Sequence, residues 1–332
     1  MRYKNLSIQE KHLGEYALVP IRMNDQCLIR KWRNEQMYHL RQQEPLTEEN
    51  QRIYFDTVVA SLFTSEHPSQ FLFSYVQAGD CIGYGGLVHI NYEKQSAELS
   101  FIMATELEET QFAMHWSNFL KLIQPIAFQG LGLQRIFTYA YDLRPHLYPI
   151  LENHGFYRER TLPNVLIEDG KSISAIVHSK WNANLRPATP MDEDVTYQWA
   201  KDPLVRKYSF QQNKITKEGH ASWFQSKLEN PNCFYFLLQS DKTGPMGSFR
   251  LDVLSADKPC TAYISYLLDP KTHGKGLGIA ILVLGEFEAR QQGISVLIGE
   301  VIAENSASCA IFAKLGYERE LLHDRIRYKK SL

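Results

Sequence analysis

Between Leu267 and Gly293 the chain reads LLDPKTHGKGLGIAILVLGEFEARQQG. Gly274, Gly276 and Gly278 alternate with Lys275 and Leu277, and the apolar run Ile279 to Leu284 follows at once. Glycines let a backbone curl until successive N–H groups converge on one anion. A helix starting directly behind them adds free N–H groups and a positive dipole end. No Ser, Thr, Asp or Asn stands ready to cap that helix. A tight turn alone would account for glycines. The lysine within the loop, the uncapped helix start and the strand in front favour phosphate oxygens instead. The string lacks the Gly-Lys-Ser/Thr ending that holds magnesium in a P-loop. It also lies deep in its domain, with no acid closing a second strand about 20 residues on, as a dinucleotide fingerprint requires.

The elements that must position this loop occur twice. LIRKWRNEQMYHLR matches VTYQWAKDPLVRKYS, placing Trp32 on Trp199, and ENHGFYRE matches AKLGYERE, placing Gly155 on Gly316. Between them LTEENQRIYF matches ITKEGHASWF, IGYGGL matches MGSFRL, and AELSFIM matches AYISYLL. Five blocks in one order identify a tandem repeat, joined within SKWNANLRPATPMDEDV. Each copy runs from a short strand to an amphipathic helix carrying the Trp, then a second helix with Thr47 or Thr216 as N-cap. Aromatic-rich strands follow, turning at AGD or DKTG. The second copy continues as the glycine loop, a helix to about Gln292, the strand SVLIGEVIA, the helix NSASCAIFAKL with Gly316 as C-cap, and a closing strand. The expected class is α/β with a mixed sheet, built twice.

Composition excludes several roles. Among 332 residues the net charge is −1, so no global field calls for nucleic acid or an anionic membrane. Cys27, Cys81, Cys233, Cys260 and Cys309 form no C-x-x-C pair, which argues against a zinc site and for reduced thiols. The polar start and the lack of a membrane-length apolar run lead to the expectation of a cytoplasmic protein.

HGKGLGIAI, followed by VIAENSASCAIFAKLGYERE, resembles the acetyl-CoA-binding half of the GNAT superfamily of acyl-CoA N-acyltransferases. The family's loop pattern is Arg/Gln-x-x-Gly-x-Gly/Ala. It is met here by His273, Gly274, Lys275, Gly276, Leu277 and Gly278, with histidine at the first position. The family's asparagine falls on Asn305, and its Lys-x-Gly-Phe on Lys314 to Tyr317. The resemblance implies two tandem GNAT-like domains, each a mostly antiparallel twisted sheet flanked by helices with splayed central strands. Residues 184–332 would bind acetyl-CoA as co-substrate, without metal, through the loop and Leu267, Leu268, Ile279, Asn305, Ser308, Phe312 and Lys314. Residues 1–183 would be a degenerate copy lacking the pyrophosphate loop. There Glu106, Glu108 and Glu109 replace the glycines, and Arg144 falls opposite Asn305.

Amide formation needs a neutral amine, a destination for the proton the amine gives up, and a proton for the departing thiolate. Many GNAT proteins protonate the leaving thiolate with a tyrosine where this chain has Phe312. That leaves Ser308, a water or unaided departure. Glu300, Asp252 and His220 are the base candidates, each with an ordinary structural explanation beside the catalytic one.

A narrower similarity, carried by Asp202, Arg206, Ser209, Ile215, His220, Trp223, Gly247, Arg250 and Asp252, is to the N-acetyltransferases of pseudaminic-acid-type sugar pathways. It implies a small-molecule amine acceptor, a nucleotide-linked amino-deoxysugar. Trp223 and Phe210 would offer apolar faces, and Arg206 and Arg250 would meet the diphosphate. Two rivals stay open: acetylation of a protein N-terminus, and a non-catalytic acyl-CoA-binding scaffold. The sequence leaves a homodimer open as well.

Overall fold

Alternating apolar strands build one sheet in each half of the chain. The computed structural model describes all residues except 169, 241–242 and 256–259, and omits the side chains of 168 and 255. The expected DKTG turn therefore begins outside the described residues. Two units divide the chain, Met1–Asn182 and Ala183–Leu332.

In the first unit β1 (Lys11–Leu13) and β2 (Tyr16–Pro20) precede α1 (Gln26–Glu35), which buries Ile29 and Trp32 on one face. The helix α2 (Glu48–Tyr54) starts at Thr47, whose hydroxyl accepts from the Asn50 amide at 3.1 Å. It continues through a π-type stretch, Phe55–Val59, into α3 (Ala60–Leu62). Next come β3 (Phe71–Gln77), β4 (Asp80–Asn91) and β5 (Ser96–Met103), then α4 (Thr105–Thr110) and α5 (Phe112–Pro125). The unit ends with β6 (Arg135–Tyr141), α6 (Leu147–Asn153) and a long hairpin of β7 (Tyr157–Glu168) and β8 (Lys171–Trp181). The sheet order is β1-β2-β3-β4-β5-β6-β8-β7.

The second unit repeats this plan. Its elements are β9 (Asn184–Pro187), α7 (Glu193–Lys201), α8 (Pro203–Arg206), α9 (Lys217–Glu229), β10 (Cys233–Ser240), β11 (Gly244–Ser255) and β12 (Thr261–Leu268). Then follow α10 (Leu277–Gln291), β13 (Val296–Val301), α11 (Ser306–Lys314), β14 (Glu318–Leu321) and β15 (Ile326–Ser331). Thr216 caps α9 as Thr47 caps α2, accepting from the Gly219 amide at 3.1 Å. The sheet order is β14-β15-β13-β12-β11-β10-β9. The architecture is α/β with two mixed, mostly antiparallel sheets, as the repeat implies.

One pair in each sheet is parallel, and that pair comes apart. β5 and β6 are in register only from Ser96–Arg135 to Glu98–Phe137, and β12 and β13 only from Thr261–Val296 to Ile264–Gly299. Beyond those points the facing edges carry backbone donors and acceptors with no ladder partner between them. Each unit thus places a polar gap in the middle of its sheet. Behind the second gap lies α10, apolar almost all round, with Ala280, Ile281, Leu282 and Ala289 fully buried.

Candidate active site

The three glycines of the loop do different work. Gly274 (φ 80°) and Gly276 (φ 76°) are exposed, left-handed and have open space where a Cβ would stand, so backbone conformation alone requires them. Gly276 is the N-cap of α10 and supplies no side chain to it. Gly278 is buried instead, and a Cβ there would lie 2.5 Å from Ile311 Cδ1. Its role is to bring α10 close to α11. Its missing side chain therefore serves helix packing, while its amide stays among the free donors of the helix start. Among the described residues, the backbone amides of Gly274, Lys275, Gly276, Leu277 and Gly278 find no hydrogen-bond acceptor. Five donors at one helix start, most of them exposed and next to a lysine, are free to donate to an anion. His273 and Lys275 are exposed beside it, while Ile279 is half-buried in the first turn.

Asn305 caps α11, its side-chain oxygen accepting from the Ser308 amide at 3.1 Å. The Ser308 hydroxyl meets the Tyr266 hydroxyl at 2.7 Å. Tyr266 reaches it from β12, two residues before the strand ends at Leu268. Burial raises its phenol to about 12, against the hydrogen bond from Ser308. Leu267 and Leu268 are half-buried on the stretch of β12 past the parting. Phe312 is 1 % exposed, stacked on Tyr328 at 4.9 Å and packed beneath Gly299. It belongs to the core, so the expectation that it touches the coenzyme is corrected. Lys314 is exposed at the far end of α11.

On the opposite face of β12, Tyr263 and Ser265 hold the acceptor-side candidates. Arg250 donates to Ser265 at 3.2 Å and to Asp252 at 2.7 Å, and its guanidinium lies 5.1 Å from the Trp223 ring. Lys227 binds the other Asp252 oxygen at 2.8 Å. Burial alone would raise the Asp252 carboxyl, but Lys227 and Arg250 outweigh it and hold it below the usual range. Glu300 repeats the pattern, taking bonds from Arg325 at 2.8 Å and Arg327 at 2.9 Å, with the Tyr263 hydroxyl at 3.4 Å. Its carboxyl is likewise lowered once the two arginines overcome burial. Arg325 also lies 4.5 Å from the ring of Phe210. Both carboxylates are ion-pair partners, which makes them poor proton acceptors near neutral pH.

Three further expectations fare differently. His220 is 4 % exposed and packs among Tyr197, Trp223 and Phe224. Among the described residues its ring nitrogens have no partner, and burial lowers its pKa. An enclosed neutral imidazole cannot meet a substrate amine, so its catalytic and substrate-contact assignments are corrected to packing between α7 and α9. Arg206 is spent on the carbonyls of Gln211 and, at 2.9 Å, Asn213; it ties down its own loop, not a diphosphate. The Ser209 hydroxyl donates to the Val205 carbonyl at 3.1 Å. Trp223 and Phe210 remain exposed aromatic faces.

Sequence reasoning missed Tyr266, Tyr263, Lys227, Arg325 and Arg327. The alternation of TAYISYLL carried the signal for the first. It puts Ile264, Tyr266 and Leu268 on the helix side and Tyr263 and Ser265 on the other.

In the first unit α4 occupies the stretch that corresponds to the glycine loop, and it carries Glu106, Glu108 and Glu109. Glu108 accepts from Arg144 at 2.8 Å, with both side chains about nine-tenths buried.

Residues 18–177 and residues 182–318 each match a family model described as an acetyltransferase (GNAT) domain. No curated protein matches the chain. Among solved structures, the spermidine N-acetyltransferase from Vibrio cholerae in complex with CoA and spermine is 20% identical, covering 51% of this chain and 96% of that one, with a TM-score of 0.44. A domain from Methanocaldococcus jannaschii is 21% identical over 45% of this chain and 98% of its own, with a TM-score of 0.40. Likenesses of that size carry neither substrate nor mechanism to this chain.

Proposed function

The chain belongs to the GNAT acetyltransferases, with two such domains in tandem, and from that premise we propose that its second domain alone holds acetyl-CoA and acetylates an anionic, sugar-sized amine. The observation that carries this reading is the row of unpartnered amides from Gly274 to Gly278, set beside the Tyr266–Ser308 hydroxyl pair. The amides take the pyrophosphate, Lys275 adds charge, and the thioester runs into the gap between β12 and β13. The assignment requires no metal. Among the described residues no group of three or more His, Cys, Asp or Glu could hold one.

The acceptor amine enters neutral and attacks the thioester carbon. A C–N bond forms, the nitrogen gives up its proton to water, since Asp252 and Glu300 are held as ion-paired carboxylates, the C–S bond breaks, and the thiolate leaves with the electron pair. A phenol near 12 is a weaker acid than a thiol at about 8.5, so Tyr266 does not surrender its proton outright. The Tyr266–Ser308 pair instead donates a hydrogen bond to the thiolate, which then takes its proton from solvent. This modifies the simple general-acid role for Ser308. Asp252 and Glu300, fixed as carboxylates, hold Arg250, Arg325 and Arg327 in place around the acceptor.

For the acceptor, two exposed aromatic rings, Trp223 and Phe210, each have a guanidinium against them. That pairing suits a sugar with an apolar face and an attached phosphate. A nucleotide-linked amino-deoxysugar is the acceptor class proposed. Thiol release from acetyl-CoA, compared across a panel of such sugars and a panel of peptide N-termini, tests it. Turnover confined to the sugars supports the reading. Turnover confined to the peptides replaces the acceptor, and coenzyme binding without turnover on either replaces catalysis with a scaffold role.

A further inference from the structure

The first domain retains the gap in its sheet although its glycine loop is gone. A cavity of about 450 Å³ occupies it. Consecutive residues of both parted strands line this cavity, Leu99 to Phe101 from β5 and Thr138 to Tyr141 from β6. Neighbours along a strand face opposite sides of a sheet, so the cavity passes through the sheet between the strands. It is built from one domain only.

The cavity is polar and unfinished. The hydroxyl of Thr138, a residue 3 % exposed, and the indole N–H of Trp116, also 3 % exposed, have no partner among the described residues. A valine would fill the Thr138 position without leaving a buried hydroxyl unsatisfied. Three guanidiniums line the same space. Arg41 is paired with Glu98, and Arg144 with Glu108. Arg33 is different: it donates to the Tyr84 hydroxyl at 2.7 Å and to Gln42 at 2.9 Å, and meets no carboxylate among the described residues. His39 adds no charge, since burial and then Arg144 lower it to about 3. The cavity therefore holds one half-buried cation with only neutral partners. His89 on its rim is held at φ 50°, a left-handed conformation uncommon outside glycine. Arg33 also stands in the wall shared with a second cavity of about 380 Å³, lined in part by Ile21, Ile29, Phe55 and Leu72.

We propose that the gap between β5 and β6 binds a small organic anion, with Arg33 pairing its charged group and Thr138 and Trp116 completing its hydrogen bonds. The ligand is a sugar-sized body bearing a carboxylate or a phosphate. The site works without coenzyme A, because α4 replaces the cradle and the Glu108–Arg144 pair latches it to the chain ahead of α6. Nothing in this assignment depends on the acceptor proposed for the second domain.

Calorimetry on the full chain tests it with three probes: glucose 6-phosphate, glucuronate, and glucose as the uncharged body. The expected result is binding of one acid or both with one site per chain, and none of glucose. Preference between the two acids tells phosphate from carboxylate. Arg33→Gln is expected to weaken binding at least tenfold, and Thr138→Val several-fold, with acetyl-CoA affinity unchanged in both. Thr138→Val also removes an unsatisfied hydroxyl, so its melting temperature should hold or rise. That keeps the test valid should Arg33→Gln fold poorly. Three outcomes overturn the proposal: neither acid binds, binding survives both substitutions unchanged, or binding disappears in Gly276→Asp, which would move it to the second domain.

Discussion

At the scale of single residues, the proposed chemistry turns on a phenol from a strand. Tyr266 meets Ser308 at 2.7 Å from β12, whereas the family's usual tyrosine would come from the helix position held by Phe312. A hydrogen bond to a charged group is worth about 1.5–3 kcal/mol. Tyr266→Phe should therefore lower kcat by about tenfold to hundredfold and leave acetyl-CoA affinity intact, as steady-state rates beside calorimetry would reveal. A loss of affinity with kcat unchanged would reassign Tyr266 to binding. Glu300 supports a second expectation. Its folded carboxyl is depressed, so the stability it adds is present above the unfolded value of about 4.3 and is lost as pH falls through the folded one. Melting of Glu300→Gln should show a deficit at pH 7 that narrows in strong acid. A constant deficit would mean the ion pairs contribute nothing. Sequence showed the loop, Asn305 and Ser308, because backbone-driven motifs keep their spacing. It hid the partners of Glu300 and Asp252, since Arg325, Arg327 and Lys227 converge only once β15 and α9 have packed.

At the scale of elements, glycines set how closely helices lie on the sheet. A Cβ at Gly285 would come 2.2 Å from the buried Phe249 ring. That ring is fully buried, so the helix must shift; Gly285→Ala should cost roughly 1–3 kcal/mol, read as a lower urea midpoint at unchanged slope. Gly278→Ala meets only the flexible end of Ile311 and should cost less. An unchanged midpoint in Gly285→Ala would show that α10 can slide freely. The capped helices, the aromatic strands and the apolar α10 were legible from periodicity and from Thr47 and Thr216. Two features were not. The acid-rich stretch after β5 reads as a ruined loop, yet Thr105–Thr110 forms a helix, with Glu106 and Glu108 near its N-terminal end where negative charge is favourable. The hairpin from Tyr157 to Trp181 outgrows the short β14–β15 pair of the second copy, a length the repeat does not foretell although the sequence carries an Asp-Gly turn signal between its strands.

At the scale of the whole molecule, one plan occurs twice with different segments at the corresponding place. Both sheets part at their single parallel pair, and both gaps stay open at their polar edges. The second gap is joined to an uncapped helix start with free amides, the first to a helix bearing three carboxylates and a buried ion pair. Like charge would repel a pyrophosphate from the first, while the loop amides of the second have no other acceptor among the described residues. The chain should therefore bind one acetyl-CoA, not two. Among the described residues no helix is long and apolar enough to cross a membrane. Titration calorimetry of acetyl-CoA into the full chain and into Gly276→Asp is the most direct measurement. The account predicts one site per chain, abolished by an aspartate that disturbs the left-handed cap and adds negative charge. Two sites, or undiminished affinity in Gly276→Asp, would contradict it.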